Sequence, residues 1–222
     1  MSNKIKCSHI LVDKQSEALQ LYEEIKNGKK FGSVARDISK CPSGKKDGDL
    51  GLFVQIKYND QIQIISPNSE LGQGIHTAHA MIICEEMEAD WTKVSVSTGS
   101  FHPEYKKNMF VQSTGGTNGV SAWKEKLSNI GAGIKEMLIE AGAEQMDVPK
   151  KECKALNSFV IHKPSKNSLS YGLIAKNASK LSFPSSPKLK GRSEYKLIGK
   201  SIPRLDICLL YTSDAADDTP CV

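Results

Sequence analysis

Two short glycine segments and two isolated reactive side chains are the places where this chain could do chemistry. Gly72-Gln73-Gly74, which closes the run Glu70-Leu71-Gly72-Gln73-Gly74, sets an amide side chain between two glycines. Glycine lets the backbone approach a ligand closely, and a helix start just after it offers amide N–H groups to an anionic or polar edge. Thr114-Gly115-Gly116 repeats the pattern further along. Each triplet also reads as an ordinary helix entry, the commoner meaning of an isolated Gly-Gln-Gly. His9 falls in an alternating segment and Cys41 in a polar loop; an imidazole and a thiol can tune the polarity of a pocket or serve structure alone. The six cysteines (Cys7, Cys41, Cys84, Cys153, Cys208 and Cys221) form no CxxC pair, and none stands at metal-ligand spacing with a histidine. No metal held by protein side chains is therefore expected.

The elements that must position these residues come in two styles. In the first, Ile5, Cys7, His9 and Leu11 alternate with their neighbours, which predicts a strand over residues 5–12. Ser16 is placed to cap a helix through Ala18, Leu21, Tyr22 and Ile25 that ends at Asn27-Gly28. Phe31, Val34, Ala35 and Ile38 form a second helical stripe, followed by a tight polar loop through Pro42-Ser43-Gly44 and Asp47-Gly48-Asp49.

From Phe53 the pattern changes. Val54, Ile56 and Tyr58, a turn at Asn59-Asp60, then Ile62, Ile64 and Ser66 predict a β-hairpin. The 67–74 loop feeds an apolar helix over 75–87, and Val94, Val96 and Thr98 read as a strand. Residues 112–117 are expected to open a long helix striped by Val120, Trp123, Leu127, Ile130, Ile134, Met137, Leu138 and Ala141, stopped at Asp147-Val148-Pro149. Phe159 and Ile161 suggest a strand, and residues 170–175 a short helix.

The first stretch resembles the parvulin family of peptidyl-prolyl isomerases. Cys7-Ser8-His9-Ile10-Leu11-Val12, Phe31-Gly32, Cys41-Pro42-Ser43-Gly44 and Gly48-Asp49-Leu50-Gly51 carry the resemblance. It implies that His9 and Cys41 line a site for proline-containing peptides, with no cofactor. A pocket that desolvates the X–Pro amide lowers a rotation barrier of about 20 kcal/mol by favouring the twisted form. The family's Gly-Gln-Met segment, its spaced phenylalanines and its last strand with a second histidine do not follow Gly51, so only half of such a domain is expected.

The second stretch resembles the molybdopterin-binding large subunit of the xanthine dehydrogenase/aldehyde oxidase superfamily, in its isoquinoline 1-oxidoreductase β-subunit branch. The motifs are Glu70-Leu71-Gly72-Gln73-Gly74, Glu85-Glu86-Met87-Glu88-Ala89-Asp90-Trp91, Thr114-Gly115-Gly116, Leu169-Ser170-Tyr171-Gly172 and the run from Leu197 through Gly199, Pro203 and Arg204 to Asp206. The resemblance implies hydroxylation of an N-heterocycle or aldehyde with water as oxygen source. It implies a molybdenum held by the pterin dithiolene, and an iron–sulfur small subunit as partner. Gly72, Gln73 and Gly74 would approach the cofactor, Gln73 would donate near the molybdenum oxo ligand, and Thr114, Gly115 and Gly116 would form a second loop beside it. The family's catalytic glutamate lies downstream of everything present here; Glu70, Glu85, Glu86 and Glu88 are expected to be ordinary exposed helix carboxylates.

The expected fold is α+β: a truncated parvulin-like βαα piece over residues 1–52, then a partial molybdopterin-binding α+β domain over 53–206. Residues 207–222 have no periodicity, are similar to translated adapter read-through and are expected to be an unstructured tail. The reading is a chimera of a molybdenum hydroxylase fragment and half a prolyl isomerase, inactive as this chain, with parvulin-type isomerisation in protein folding as the alternative. A formal net charge of +5 is spread in short runs such as Lys29-Lys30 and Lys45-Lys46, without a basic stripe interleaved with aromatics, so nucleic acid is not an expected partner. The polar start and short apolar runs predict no signal peptide and no membrane span, the spread cysteines suggest reduced thiols in a cytoplasmic setting, and the two resemblances imply a bacterial protein.

Overall fold

A computed structural model describes residues 2–4, 15–38, 53–100, 102, 105 and 112–206. The strand expected over 5–12, His9, Cys41, the polar loop of 42–51 and the tail of 207–222 lie outside the described residues.

A short strand β1 (Ser2–Lys4) is followed by helices α1 (Gln15–Lys26) and α2 (Phe31–Ile38). Gly28 ends α1 with φ +101°, as a left-handed stop requires. Ser16 lies inside the first turn instead of capping it, because the helix already begins at Gln15. Leu21 and Val34 are buried, while Tyr22 is 61% exposed and leaves the expected stripe.

The hairpin forms as its alternation predicts. Strands β2 (Val54–Lys57) and β3 (Ile62–Ser66) pair antiparallel, with Val54 opposite Ile64 and Ile56 opposite Ile62. All four side chains are buried on one face. The chain then crosses through helix α3 (Ile75–Met87) and a 3-10 turn to β4 (Val94–Thr98), which lies parallel to β3, Ile62 facing Val94 and Ser66 facing Thr98. A parallel pair needs such a crossover, and α3 supplies it. The four-stranded sheet runs β1-β2-β3-β4, with β1 antiparallel to β2.

Helix α4 (Lys124–Met146) packs across α3. Its approach depends on Gly131, where a Cβ would meet the carbonyl oxygen of Ile83. The long helix begins at Lys124 and not at the Thr114-Gly115-Gly116 loop. Turns intervene, and Val120 is 42% exposed, so the stripe is buried only from Trp123 onward. Asp147 ends α4 in the left-handed region, where the stop was expected.

A second, antiparallel sheet of β5 (Cys153–Leu156), β6 (Phe159–His162) and β7 (Ser168–Ser170) leads into α5 (Tyr171–Ala178). Tyr171 is fully buried and its hydroxyl donates to the Met87 carbonyl at 2.6 Å, satisfying the C-terminal end of α3. Gly172 lets α5 press on the hairpin turn, since a Cβ there would sit 2.6 Å from the Tyr58 carbonyl. Among the described residues one core joins the β2–β3 face, α3, α4 and α5, giving a mixed α and β architecture with two small sheets.

Candidate functional site

The two glycine loops meet at the carboxyl ends of the parallel strands β3 and β4, where open sheets place their ligand crevices. Ser66 closes β3, and its hydroxyl oxygen lies 2.9 Å from the Asn68 carbonyl and accepts the Asn68 N–H at 3.2 Å. Asn68 is 1% exposed. Its Nδ2 donates to the Ser113 carbonyl at 3.0 Å, and the next amide, Ser69 N–H, donates to Thr114 Oγ1 at 2.8 Å. Gln112 joins the same assembly, its Nε2 donating to the carbonyls of Pro67 and Gly99. Residues read separately as two loops therefore form one surface.

Glu70 shapes the first loop. Its Oε1 accepts from Gly72 N–H at 2.9 Å and Gly74 N–H at 2.8 Å, and its Oε2 accepts from His76 N–H at 3.1 Å. Burial works against the charged carboxylate, but the three amides outweigh it and hold Glu70 below the ordinary glutamate range. The expected role of the α3 start as an open anion site is corrected here: Glu70 already occupies amides that such an anion would use. Glu70 is also not an exposed helix carboxylate.

Gly72 and Gly74 adopt φ +98° and +77°, and no atom lies within 4 Å of where a Cβ would point. The loop is thus built from glycine for its backbone angles and leaves open space over it. Gln73 folds back onto the loop: its Nε2 donates to the Ser69 carbonyl at 3.0 Å and its Oε1 accepts from Leu71 N–H. The Gln73 amide thus braces its own loop at both of its polar atoms. Gly115, at φ +153°, has the same open space at its Cβ position.

Two histidines lie beneath the loops. His79 is fully buried, with Nδ1 3.0 Å from Ser66 Oγ and Nε2 3.1 Å from the Gly119 carbonyl. Because a carbonyl only accepts, the neutral ring carries its proton on Nε2. Burial pushes its pKa down to about 4, against the pull of that carbonyl. His76 Nε2 lies 3.1 Å from both the Asn68 carbonyl and Thr98 Oγ1, linking the loop to the end of β4. Asn68 Oδ1 is a buried acceptor with no partner, immediately under the joined loops. Among the described residues no group of three His, Cys, Asp or Glu side chains is arranged to hold a metal ion.

The acidic motif at the end of α3 does structural work instead. Glu85 and Glu86 are buried, contrary to the expectation of exposed carboxylates. Glu85 Oε1 pairs with Lys190 Nζ at 2.7 Å, and its Oε2 accepts the amides of Lys196, Leu197 and Ile198. Glu86 accepts Lys190 N–H, and Glu88 binds Lys190 and Lys196 through their ammonium groups. Three carboxylates at a helix C-terminus oppose the helix dipole, and the lysines of the 190–198 segment offset that cost. The run from Leu197 to Asp206 then returns to the site. Arg204 Nη1 donates to the Gly72 carbonyl at 2.8 Å, and Asp206 grips the same guanidinium at 2.7 and 3.0 Å.

Sequence reasoning found both loops but missed Asn68, Ser69, His76 and His79, and gave Arg204 no role. A pair of histidines three residues apart on an otherwise apolar helix was a visible signal; the partner of Arg204 was not.

Taken together, the fold and site define a mixed α and β domain that presents two joined glycine loops at the carboxyl ends of parallel strands. Residues 12–206 match the molybdopterin cofactor-binding domain family, and the chain belongs to it; its cofactor is molybdopterin. Isoquinoline 1-oxidoreductase subunit beta from Brevundimonas diminuta is 28% identical over 216 residues, covering 80% of this chain and 28% of that protein. Foldase protein PrsA from Bacillus subtilis is 38% identical over 55 residues, covering 25% of this chain and 19% of that protein. The solved quinoline 2-oxidoreductase from Pseudomonas putida 86 aligns with a TM-score of 0.41 at 14% identity, over 61% of this chain and 17% of its own. The chain thus spans less than a third of the length of these curated relatives.

The residues at the loops suit such a group. Open space over Gly72, Gly74 and Gly115, with the side-chain amide of Gln73 beside it, leaves room for a flat ligand against exposed backbone.

Proposed function

We propose that residues 53–206 are the cofactor-holding piece of a larger molybdenum hydroxylase, an enzyme that oxidises an N-heterocycle or aldehyde with water as oxygen source. The joining of the two glycine loops by Ser69 and Thr114 carries this reading, because it places both loops on one face. Gly72, Gly74, Gly115 and Gly116 offer backbone to molybdopterin, Gln73 donates its second amide hydrogen, and Thr114 holds the loops together. The cofactor, when bound, supplies the two-electron redox centre.

This chain's own part is to bind and orient. Glu70, the carboxylate nearest the loops, accepts three amides and an arginine contact, which makes it a poor proton acceptor. Glu70 thus serves as a brace of the loop and not as the reaction's general base, and the chain holds cofactor without turnover of its own. The remaining domains and an iron–sulfur small subunit complete the enzyme, in the cytoplasm.

The test is retention of molybdopterin by the purified chain, read from pterin fluorescence after oxidation. Near-stoichiometric pterin in the wild type, with loss in a Gly72→Val, Gly115→Val double variant, is expected. Equal pterin in both proteins defeats the loop assignment.

The PrsA likeness favours a second origin for residues 1–52: half a parvulin-type prolyl isomerase, with His9 and Cys41 as its site residues for proline-containing peptides. Half a domain gives no catalysis, so the full chain should not accelerate cis–trans exchange of a proline peptide. A rate that His9→Ala abolishes would restore isomerase activity to this segment. One DNA read across codons 48–57 tests the chimera: continuation from Gly51 into a parvulin second half separates the two segments.

A further inference from the structure

We infer that Arg204 is the positioning residue of the 70–74 loop, fixing the Gly72 carbonyl and the Glu70 carboxylate while Asp206 holds its guanidinium in register. The bond from Arg204 Nη1 to the Gly72 carbonyl is 2.8 Å, and Nη2 lies 3.4 Å from Glu70 Oε1. Nε and Nη2 face Asp206 Oδ1 and Oδ2 at 3.0 and 2.7 Å, a two-pronged grip. Asp206 is 7% exposed, and the neighbouring Leu205 N–H donates to Thr77 Oγ1 at 3.0 Å, which docks the 204–206 segment on the first turn of α3.

The need for such a clamp follows from the loop's composition. Leu71, Gly72 and Gln73 are exposed, and Gly72 and Gly74 carry few backbone restraints of their own. Glu70 binds the amide side of the loop, at Gly72, Gly74 and His76. Arg204 takes the opposite, carbonyl side at Gly72 and also reaches the Glu70 carboxylate. The loop is therefore held from both polarities of its backbone. A planar guanidinium can serve a carbonyl and two carboxylates at once, whereas an ammonium offers one compact charge. The relevance of the clamp to catalysis rests on the proposal that this loop faces molybdopterin; the clamp itself does not.

The experiment is amide hydrogen exchange by NMR on the full chain, comparing wild type with Arg204→Gln, Arg204→Lys and Asp206→Asn, alongside pterin retention. In Arg204→Gln the amides of Gly72, Gly74 and His76 should exchange roughly tenfold faster, with β3 and α4 unchanged. Arg204→Lys should recover only part of the protection, and Asp206→Asn should shift the same three amides less. Unchanged exchange at those amides overturns the clamp, and so does an equal rise across β3 and α4, which would mark a general structural role. If wild type retains no pterin while loop exchange still rises locally in Arg204→Gln, the clamp stands and the cofactor assignment falls. If pterin is retained and loop exchange is unchanged in Arg204→Gln, the clamp falls alone.

Discussion

Thr114 Oγ1 accepts the backbone N–H of Ser69 at 2.8 Å, a bond that spans 45 residues and brings the two glycine loops to one face. Replacing Thr114 with Ala should cost about 1 kcal/mol in urea unfolding, the size of one hydrogen bond left without its acceptor. Thr114→Ser keeps the oxygen and should keep most of the stability and pterin retention. Equal loss of pterin in both variants would mean that the methyl group, not the bond, matters.

His79 should make the domain acid-sensitive. Its pKa is about 4 in the folded chain against an ordinary 6.5. Above pH 6.5 both states hold the ring neutral and stability does not depend on it. As pH falls below 6.5 the unfolded chain takes up the proton first, so stability is lost progressively down to pH about 4, by about 3 kcal/mol in all. Urea midpoints measured between pH 7 and 4 should fall in wild type and flatten in His79→Gln. An unchanged slope in the variant would assign the effect to other groups.

Lys190 should behave as a buried counter-ion. Its ammonium is 2.7 Å from Glu85 and 2.6 Å from Glu88, with the lysine side chain 8% exposed. Lys190→Met leaves Glu85 buried with only its amide donors and should cost roughly 3 kcal/mol. Limited proteolysis should then cut within 188–198 before it cuts α3. Resistance equal to wild type would show that the amides alone hold the segment.

Gly131→Ala should separate α3 from α4. The added Cβ meets a backbone oxygen at Ile83, which cannot rotate away, so the helices must move apart at a cost of roughly 1–3 kcal/mol. Gly199→Ala, at φ +84° with open space around it, should cost less, through backbone strain alone. Thermal melts of the two variants compare the effects directly, and a larger loss at Gly199 would contradict the close helix contact.

Much of the secondary structure was legible because it rests on neighbours in the chain. Alternation at Val54, Ile56, Ile62 and Ile64 gave the hairpin and its buried face, and the apolar run of 75–87 gave α3 at its observed limits. The stripe from Trp123 to Ala141 marked α4, although its start was placed too early. Thr114-Gly115-Gly116 reads like a helix entry, and only the turns that follow show that it is not one. The strands β5 and β7 were missed because short segments carry too few residues for their period to show.

The sequence by itself determined where glycine would free the backbone, which stripes would be apolar, and which family this chain belongs to, since all three depend on residue type and spacing. Tertiary structure alone decided that β4 lies parallel to β3, that Thr114 meets Ser69, that Glu70 fills the start of α3, and that Arg204 reaches Gly72 across 132 residues. Those contacts are set by which buried faces pack together, and no local period in the chain records them.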